Sequence, residues 1–578
     1  MEIAMSTSVT PLPDVVRKEI DHFADEAKAY KAGAVPDEIF KPFRLVQGIY
    51  GQRQHDVQMV RIKIPGGQLN AAQTRAISEA SRRFAPRGIA HVTTRQAVQL
   101  HFIQLADVPS LLELLASADL TTREACGNAI RNITCSPVAG LAADEIFDAF
   151  PYAEAAFRHF LRIPEFSQLP RKFKMSFGGS DRDLSQTSIN DLGATARTRI
   201  VDGKVQRGFR IRVGGGLGAS PQNAWTWDEF TPEDKVIPLI TAILLHFHAK
   251  GERKNRMAAR LKFLIRKEGF DTFKAEVEKI LATLPASVPF ELPKETPAPA
   301  GDPSATPPLD GPDGYKEWQK LNTWPQKQKG FHYAIIKLTL GDLSWQQLAS
   351  LADLSERFGQ GNLRTANDQN LLLPFVPSKR LAELYTELKA LGLGDPGPDL
   401  IGDVTSCPGA DTCNLGLVSS KGLGARLTEI MAYSGAGKED LAGTHIKISG
   451  CPNSCGQHHI GTFGFFGHIR KIDGKDSPHF QAMIGGGIDD NGATFGRMIG
   501  RLPSRRAPLL VQAFIAKYRA ERQEGQSLEA WLRALPLDAA KKVLEPFGEV
   551  ISNDPELFKD NGTEETFVFE GLGASECA

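Results

Sequence analysis

From residue 57 to 65 apolar and polar positions alternate with a period of two. Val60, Ile62 and Ile64 fall on one face, Arg61 and Lys63 on the other. This predicts a strand, closed by Pro65-Gly66-Gly67. Asn70 is an N-cap residue ahead of a helical period that runs to Phe84. Residues 89–105 read as strand, turn and strand, and 108–118 as a helix, so the first unit is β-α-β-β-α or close to it. Residues 14–30 mix apolar and charged positions with helical period, as an exposed arm or a first helix would. The most apolar run, 236–247, is too short to span a bilayer and predicts a buried helix.

The same order of elements returns later. Residues 333–340 read as a strand, Ser344 opens a helix to Phe358, 363–376 is strand-turn-strand and 378–391 a helix. Lys63 falls over Lys337 and Phe84 over Phe358, both at an offset of 274. Further on, Cys135 lies over Cys407 at 272, Lys174 over Lys447 at 273, and Gly214-Gly215-Gly216 over Gly485-Gly486-Gly487 at 271. The chain therefore reads as two duplicated halves of about 270 residues. Between them, 292–312 holds seven prolines and predicts an extended, solvated linker.

Composition changes this picture little. The 68 basic and 68 acidic side chains cancel, which argues against nucleic-acid binding by bulk charge. Residues 1–12 have neither the basic nor the apolar region of a signal peptide, and no stretch predicts a membrane span. Seven cysteines argue against a disulfide framework, so a cytoplasmic location is expected.

The chemistry concentrates in four of those cysteines. Cys407 and Cys413 form C-x5-C, and Cys451 and Cys455 form C-x3-C in Cys-Pro-Asn-Ser-Cys. Pro and Gly in both pairs place them on turns whose backbone N–H groups can face a ligand. Buried thiols, structural zinc and an iron–sulfur cluster are the competing readings. Zinc pairs favour C-x2–4-C, whereas a 4Fe-4S cluster tolerates uneven spacing from two loops, which favours the cluster.

With these residues the chain resembles the siroheme and 4Fe-4S family of assimilatory sulfite and nitrite reductases. The cysteine signature carries the resemblance, with residues 59–67, Thr93-Thr94-Arg95-Gln96, residues 127–132 and Arg171-Lys172-Phe173-Lys174. It implies an internally duplicated α+β fold: ferredoxin-like half-domains and two siroheme-binding domains around one pseudo-twofold site. The boundaries expected are an arm at 1–42, half-domain 1 at 43–120, siroheme-binding domain 1 at 121–290, the linker at 291–325, half-domain 2 at 326–395, and the cluster and siroheme domain with its tail at 396–578.

The resemblance also implies roles. Cys407, Cys413, Cys451 and Cys455 would bind the cluster, with Cys455 shared with the siroheme iron. Arg61, Arg131, Lys172 and Lys174 would hold the substrate oxyanion, through Arg forks, and donate protons, through Lys. Arg95, Gln99, Asn128, Arg171, Gly215, Lys447 and Asn453 would contact the siroheme, whose eight carboxylates need many buried donors. Tyr50 and Cys126 stand where some relatives carry a Tyr–Cys thioether, and His91 stands where others carry an Arg. Taken singly, Cys135 is a core residue, Cys577 an exposed thiol without a role, and His458 and His459 have none.

The activity expected is six-electron reduction of sulfite to sulfide, favoured by the second lysine, Lys174. Nitrite reduction to ammonia is the alternative, favoured by Arg61-Ile62-Lys63 and the Cys451–Gln457 sequence. A non-enzymatic zinc or iron–sulfur scaffold is the reading from another class. No flavin- or nicotinamide-binding segment with a G-x-G-x-x-G fingerprint is present, so electrons are expected from ferredoxin or a separate flavoprotein subunit.

Overall fold

The computed structural model describes residues 12–293, 299–433, 439–550, 553–569 and 571. Cys577 lies outside the described residues. The duplication is visible as two pairs of five-stranded sheets.

The first pair exchanges strands. One sheet runs Ile49–Gly51, Val57–Ile62, Val98–Gln104, Ile89–Val92 and then Asp342–Ser344. Its counterpart runs Thr323–Pro325, Phe331–Ile336, Leu371–Pro377, Asn362–Thr365 and then Gln68–Asn70. Each half thus lends its short strand to the other, with Leu343 opposite Ala90 and Leu363 opposite Leu69. The lent strand leads straight into a helix in both halves, Ala71–Phe84 and Trp345–Phe358. Asn70 and Ser344 cap these helices with full capping boxes, closed by Gln73 and Gln347. The exchange fuses the halves into one apolar core that holds Val60, Ile62 and Ile64 together with Leu343, Leu351 and Leu363.

The helix Asp14–Lys31 is a docked element rather than an exposed arm, since Ile20, Phe23 and Ala27 are buried in this same core. Part of the proline-rich linker also packs on the second half, where Asp302 pairs with Lys379 at 2.7 Å.

The second pair of sheets is mixed. In half one the order is Trp225–Pro232, Lys204–Val213, Leu192–Val201, Met175–Gly178 and Thr134–Cys135. In half two it is Arg497–Pro503, Lys475–Ile484, Phe463–Ile472, Ile446–Ser449 and Thr405–Ser406. The apolar run 236–247 lies in the helix Glu233–Lys250 and fills the core beneath the first of these sheets.

These ladders correct the expected register. Thr134 pairs with Ser176, and Thr405 pairs with Lys447. Lys447 therefore takes the place of Ser176, not of Lys174, and Cys407 takes that of Ser136, not of Cys135. Cys135 itself is fully buried among the apolar residues of half one.

Candidate active site

A cavity with about 1660 Å³ of empty space, open to solvent, lies where the four sheets meet. One wall carries Cys407, Cys413, Cys451, Asn453 and Cys455 from half two; the other carries Arg61, Arg95, Gln99, Arg131, Lys172 and Lys174 from half one.

The cysteine wall is shaped by backbone. Cys407 Sγ accepts the Gly450 N–H at 3.2 Å, and the Cys413 N–H closes a turn on the Gly409 carbonyl at 3.0 Å. A Cβ on Gly456 would stand 1.8 Å from the Ile448 carbonyl oxygen, so only glycine lets the last cysteine loop lie this close to the strand beneath. Half one reaches over to hold that loop: the Thr94 hydroxyl donates to the Cys455 carbonyl at 2.9 Å. Gln186 and Gln457 exchange amide hydrogen bonds at 3.0 and 2.6 Å. Both are left-handed residues at corresponding places of the two halves, so this pair sits where the halves meet face to face.

The basic wall is equally tied down. With the Gln99 amide oxygen turned toward Arg61, it accepts from Nε at 3.0 Å and Nη2 at 2.5 Å. Arg95 donates to Asn190 Oδ1 at 2.8 Å and to the Asn132 carbonyl at 2.6 Å. Arg131 donates to the Tyr50 hydroxyl at 3.2 Å and to the carbonyls of Ala125 and Gly127 at 2.9 and 2.8 Å. The strand of this wall begins only at Met175, so Lys172 and Lys174 lie in the extended segment before it. Phe173 between them is buried, which still sends both lysines to the cavity side.

Burial lowers the Lys174 pKa well below its ordinary value, reinforced by the charges of Arg95, Arg260 and Lys172 and opposed by Cys455. Burial also pushes the Cys407 thiol up to about 11, with Cys455 adding to it. His91 is buried beside Asp342, its Nδ1 2.8 Å from Oδ1. Burial would raise Asp342, but the His91 hydrogen bond, then the charges of His91 and Lys421, hold it at about 2.

These residues fit an iron–sulfur cluster beside a large polyanion. The buried Cys407 thiol resists ionisation unless a cation joins it. Among the described residues no three His, Cys, Asp or Glu side chains close on one point as ligands of a single ion do. Zinc needs its sulfurs at about 2.3 Å from one centre, whereas a cubane holds its thiolates apart. Arg95 Nε, Arg131 Nε and Asn132 Oδ1 are buried without hydrogen-bond partners at the cavity wall, and a polar ligand there would answer them. Cys455 is exposed at this wall, whereas Cys407, Cys413 and Cys451 are half-buried.

Four expected contacts do not line the cavity: Asn128, Arg171, Gly215 and Lys447. A Cβ on Gly215 would meet the carbonyl oxygens of Ser188 and Asn190 at 2.6 and 2.7 Å, so this glycine serves packing of the protein on itself. Lys447 is buried with its Nζ 3.3 Å from Thr405 Oγ1, in the field of Asp368 and Asp403. Tyr50 and Cys126 are buried in one small cluster with Leu45 and Met59, next to Arg131. Sequence reasoning missed Arg260, which lines the cavity and is clamped on Asp191 by Nε at 3.1 Å and Nη2 at 2.8 Å. Its signal was the counterpart Arg533, which packs against Gly487 as Arg260 does against Gly216.

Comparison with known proteins agrees with this geometry. Residues 126–283 match the nitrite and sulphite reductase 4Fe-4S domain. Residues 50–118 and 324–391 both match the nitrite/sulfite reductase ferredoxin-like half domain, the repeat seen in the exchanged sheets. The chain belongs to the nitrite and sulfite reductase family. As a member it is an oxidoreductase, which sets aside the scaffold reading. The ferredoxin–nitrite reductase of Synechococcus elongatus is 31% identical, with 80% of this chain and 87% of that one covered. The assimilatory ferredoxin-dependent nitrite reductase of Haloferax mediterranei is 29% identical over 92% of both chains. Sulfite reductase (ferredoxin) 1 of Mycolicibacterium paratuberculosis is 30% identical over 82% of both. The solved structure of the Mycobacterium tuberculosis NirA protein superposes with a TM-score of 0.75 at 25% identity, covering 92% of this chain and 98% of that one. No helix among the described residues is long and apolar enough to cross a membrane.

Proposed function

We propose that this family member reduces nitrite to ammonium, taking electrons from a ferredoxin. The observation that carries a reductase site is the facing of four cysteines and a basic wall across one cavity. Nitrite is preferred over the sulfite expected from sequence because similar proteins named for nitrite include the Haloferax and Synechococcus enzymes. Those names also support ferredoxin as the donor.

Cys407, Cys413, Cys451 and Cys455 would hold a 4Fe-4S cluster, and Cys455, the exposed one, would be shared with a siroheme. Bound there, the two groups would supply the six electrons one at a time. Arg95, Gln99 and Asn453 would contact the siroheme from the cavity wall. The chain's own part is to bind the anion and manage protons. Arg61 and Arg131 present guanidinium groups whose planar forks suit an oxyanion. Lys172 and Lys174 would release protons as N–O bonds break and water leaves. Burial and the neighbouring cations lower the Lys174 pKa, which makes its ammonium a stronger acid than an ordinary lysine.

Sulfite is the second reading, favoured by Lys174 and by the Mycolicibacterium relative. Steady-state assay with reduced methyl viologen decides between them through the ratio of kcat/KM values. The larger value is expected for nitrite; a larger value for sulfite replaces the proposal with the second reading.

A further inference from the structure

Lys63 and Glu124 form an ion pair at 3.8 Å with side chains 1% and 2% exposed. Neither lines the cavity, and the chemistry above does not use them. An ion pair this deeply buried costs desolvation and gives little net stability, so its place in the fold deserves a reason. Glu124 is held through both carboxylate oxygens and its backbone N–H. Its Oε1 accepts from the Arg162 N–H at 3.0 Å and the Ser167 hydroxyl at 2.8 Å, its Oε2 faces Lys63, and its own N–H donates to the Val46 carbonyl at 2.6 Å.

What Glu124 holds is the next residue. The Ala125 carbonyl accepts from two arginines of the cavity wall, from Arg61 Nη1 at 3.3 Å and from Arg131 Nη1 at 2.9 Å. The Gly127 carbonyl takes Arg131 Nη2 at 2.8 Å. Glu124 and Gly127 both have positive φ, 61° and 71°, so the loop between them is bent into a shape that a non-glycine residue adopts at a cost. Lys63 sits two residues beyond Arg61 along the same chain segment and on the same side of it. One end of that segment therefore grips Glu124 while the other meets the carbonyl beside it.

We propose that the buried Lys63–Glu124 pair is a positioning element that fixes the Ala125 carbonyl and, through it, aims Arg61 and Arg131 together at the substrate anion. The role given to the arginines rests on the proposed function; the alignment itself does not. Breaking the pair on one side leaves Lys63 buried and unpaired, with Arg131, Arg162 and Arg123 as its charged neighbours. The loop then shifts to let water in, and the two guanidinium groups lose their common acceptor.

The test is Glu124→Gln alone and with Lys63→Met, assayed on the loaded enzyme with reduced methyl viologen and nitrite or sulfite. Glu124→Gln is expected to raise KM roughly ten- to a hundred-fold, the scale that an ångström-sized misplacement carries, while kcat changes less and the Soret absorbance is retained. The double variant removes the stranded charge but does not restore the tie, so it is expected to fold and to keep most of the KM rise. An unchanged KM in Glu124→Gln, or a wild-type KM in the double variant, overturns the proposal. A crystal structure keeps this claim apart from the choice of substrate. In Glu124→Gln the guanidinium groups of Arg61 and Arg131 are expected to leave the Ala125 carbonyl. If that variant fails to fold, the structure of the double variant is expected to show the same displacement. Guanidinium groups unmoved on the Ala125 carbonyl in either folded variant contradict the proposal whichever anion is reduced.

Discussion

The two halves share a backbone plan and divide the chemistry. The ladders align Thr134 with Thr405 and Ser176 with Lys447. Carried along the chain, this register puts Ser136, Ala142, Ser180 and Leu184 of half one where half two has Cys407, Cys413, Cys451 and Cys455. In the other direction, Arg131, Lys172 and Lys174 meet Gly402, Gly443 and His445, and in the exchanged sheets Arg61 meets Ile335. Each half has lost what the other keeps. Arg95 and its counterpart Gln369 both line the cavity. Arg95 brings a cation, tied to Asn190 and the Asn132 carbonyl; Gln369 is a neutral amide, accepting from the Ser406 N–H at 2.8 Å and donating to the Val92 carbonyl at 3.0 Å. At this place half two is filled by a neutral amide.

The largest break in this comparison comes from the basic wall. Lys174→Asn removes one cation from that wall. It is expected to lower kcat by ~100-fold for sulfite, within the range of a lost general acid, and less for nitrite. Parallel kcat measurements on the two anions check it, and equal losses count against Lys174 as a discriminating group. A smaller effect is expected on the filled side. Burial first, then the charge of Asp368, push the Asp403 carboxyl up from 3.8 to about 7. Between those values the folded chain holds a proton that the unfolded chain has released, so stability falls as pH rises through this window. Asp403→Asn removes that slope. Thermal melts are expected to show the variant's advantage over wild type growing from pH 4 to about pH 7 and constant above it; a gain that is the same at pH 4 and pH 8 contradicts the assignment.

Much of this division was legible in the sequence. Helix starts at Asn70 and Ser344 followed from capping chemistry, and the cysteine spacing pointed to a cluster before any coordinates. The exchange of Gln68–Asn70 for Asp342–Ser344 was not legible, because three-residue strands carry too little pattern and their partners are far away along the chain, Asn362 for Asn70 and His91 for Asp342. The slip that set Lys447 over Lys174 has the same origin. Both lie near the start of a short strand, where alternation fits more than one register and only the ladder decides. That Gly215 and Lys447 do not line the cavity was not legible either, because a glycine run and a lysine look alike whether they face a ligand or the protein's own polar groups. Arg260 was missed because it stands just before a helix, 69 residues from the Asp191 that clamps it, with no motif around it.

The division of labour is tested most directly by the iron, acid-labile sulfide and Soret absorbance of two purified variants, one from each wall. Cys413→Ser is expected to lose the sulfide and most of the iron, whereas Lys172→Met is expected to keep iron, sulfide and Soret band at wild-type levels and lose turnover. A Cys413→Ser protein with full iron and sulfide, or a Lys172→Met protein stripped of both, would contradict a site built from cysteines of one half and cations of the other.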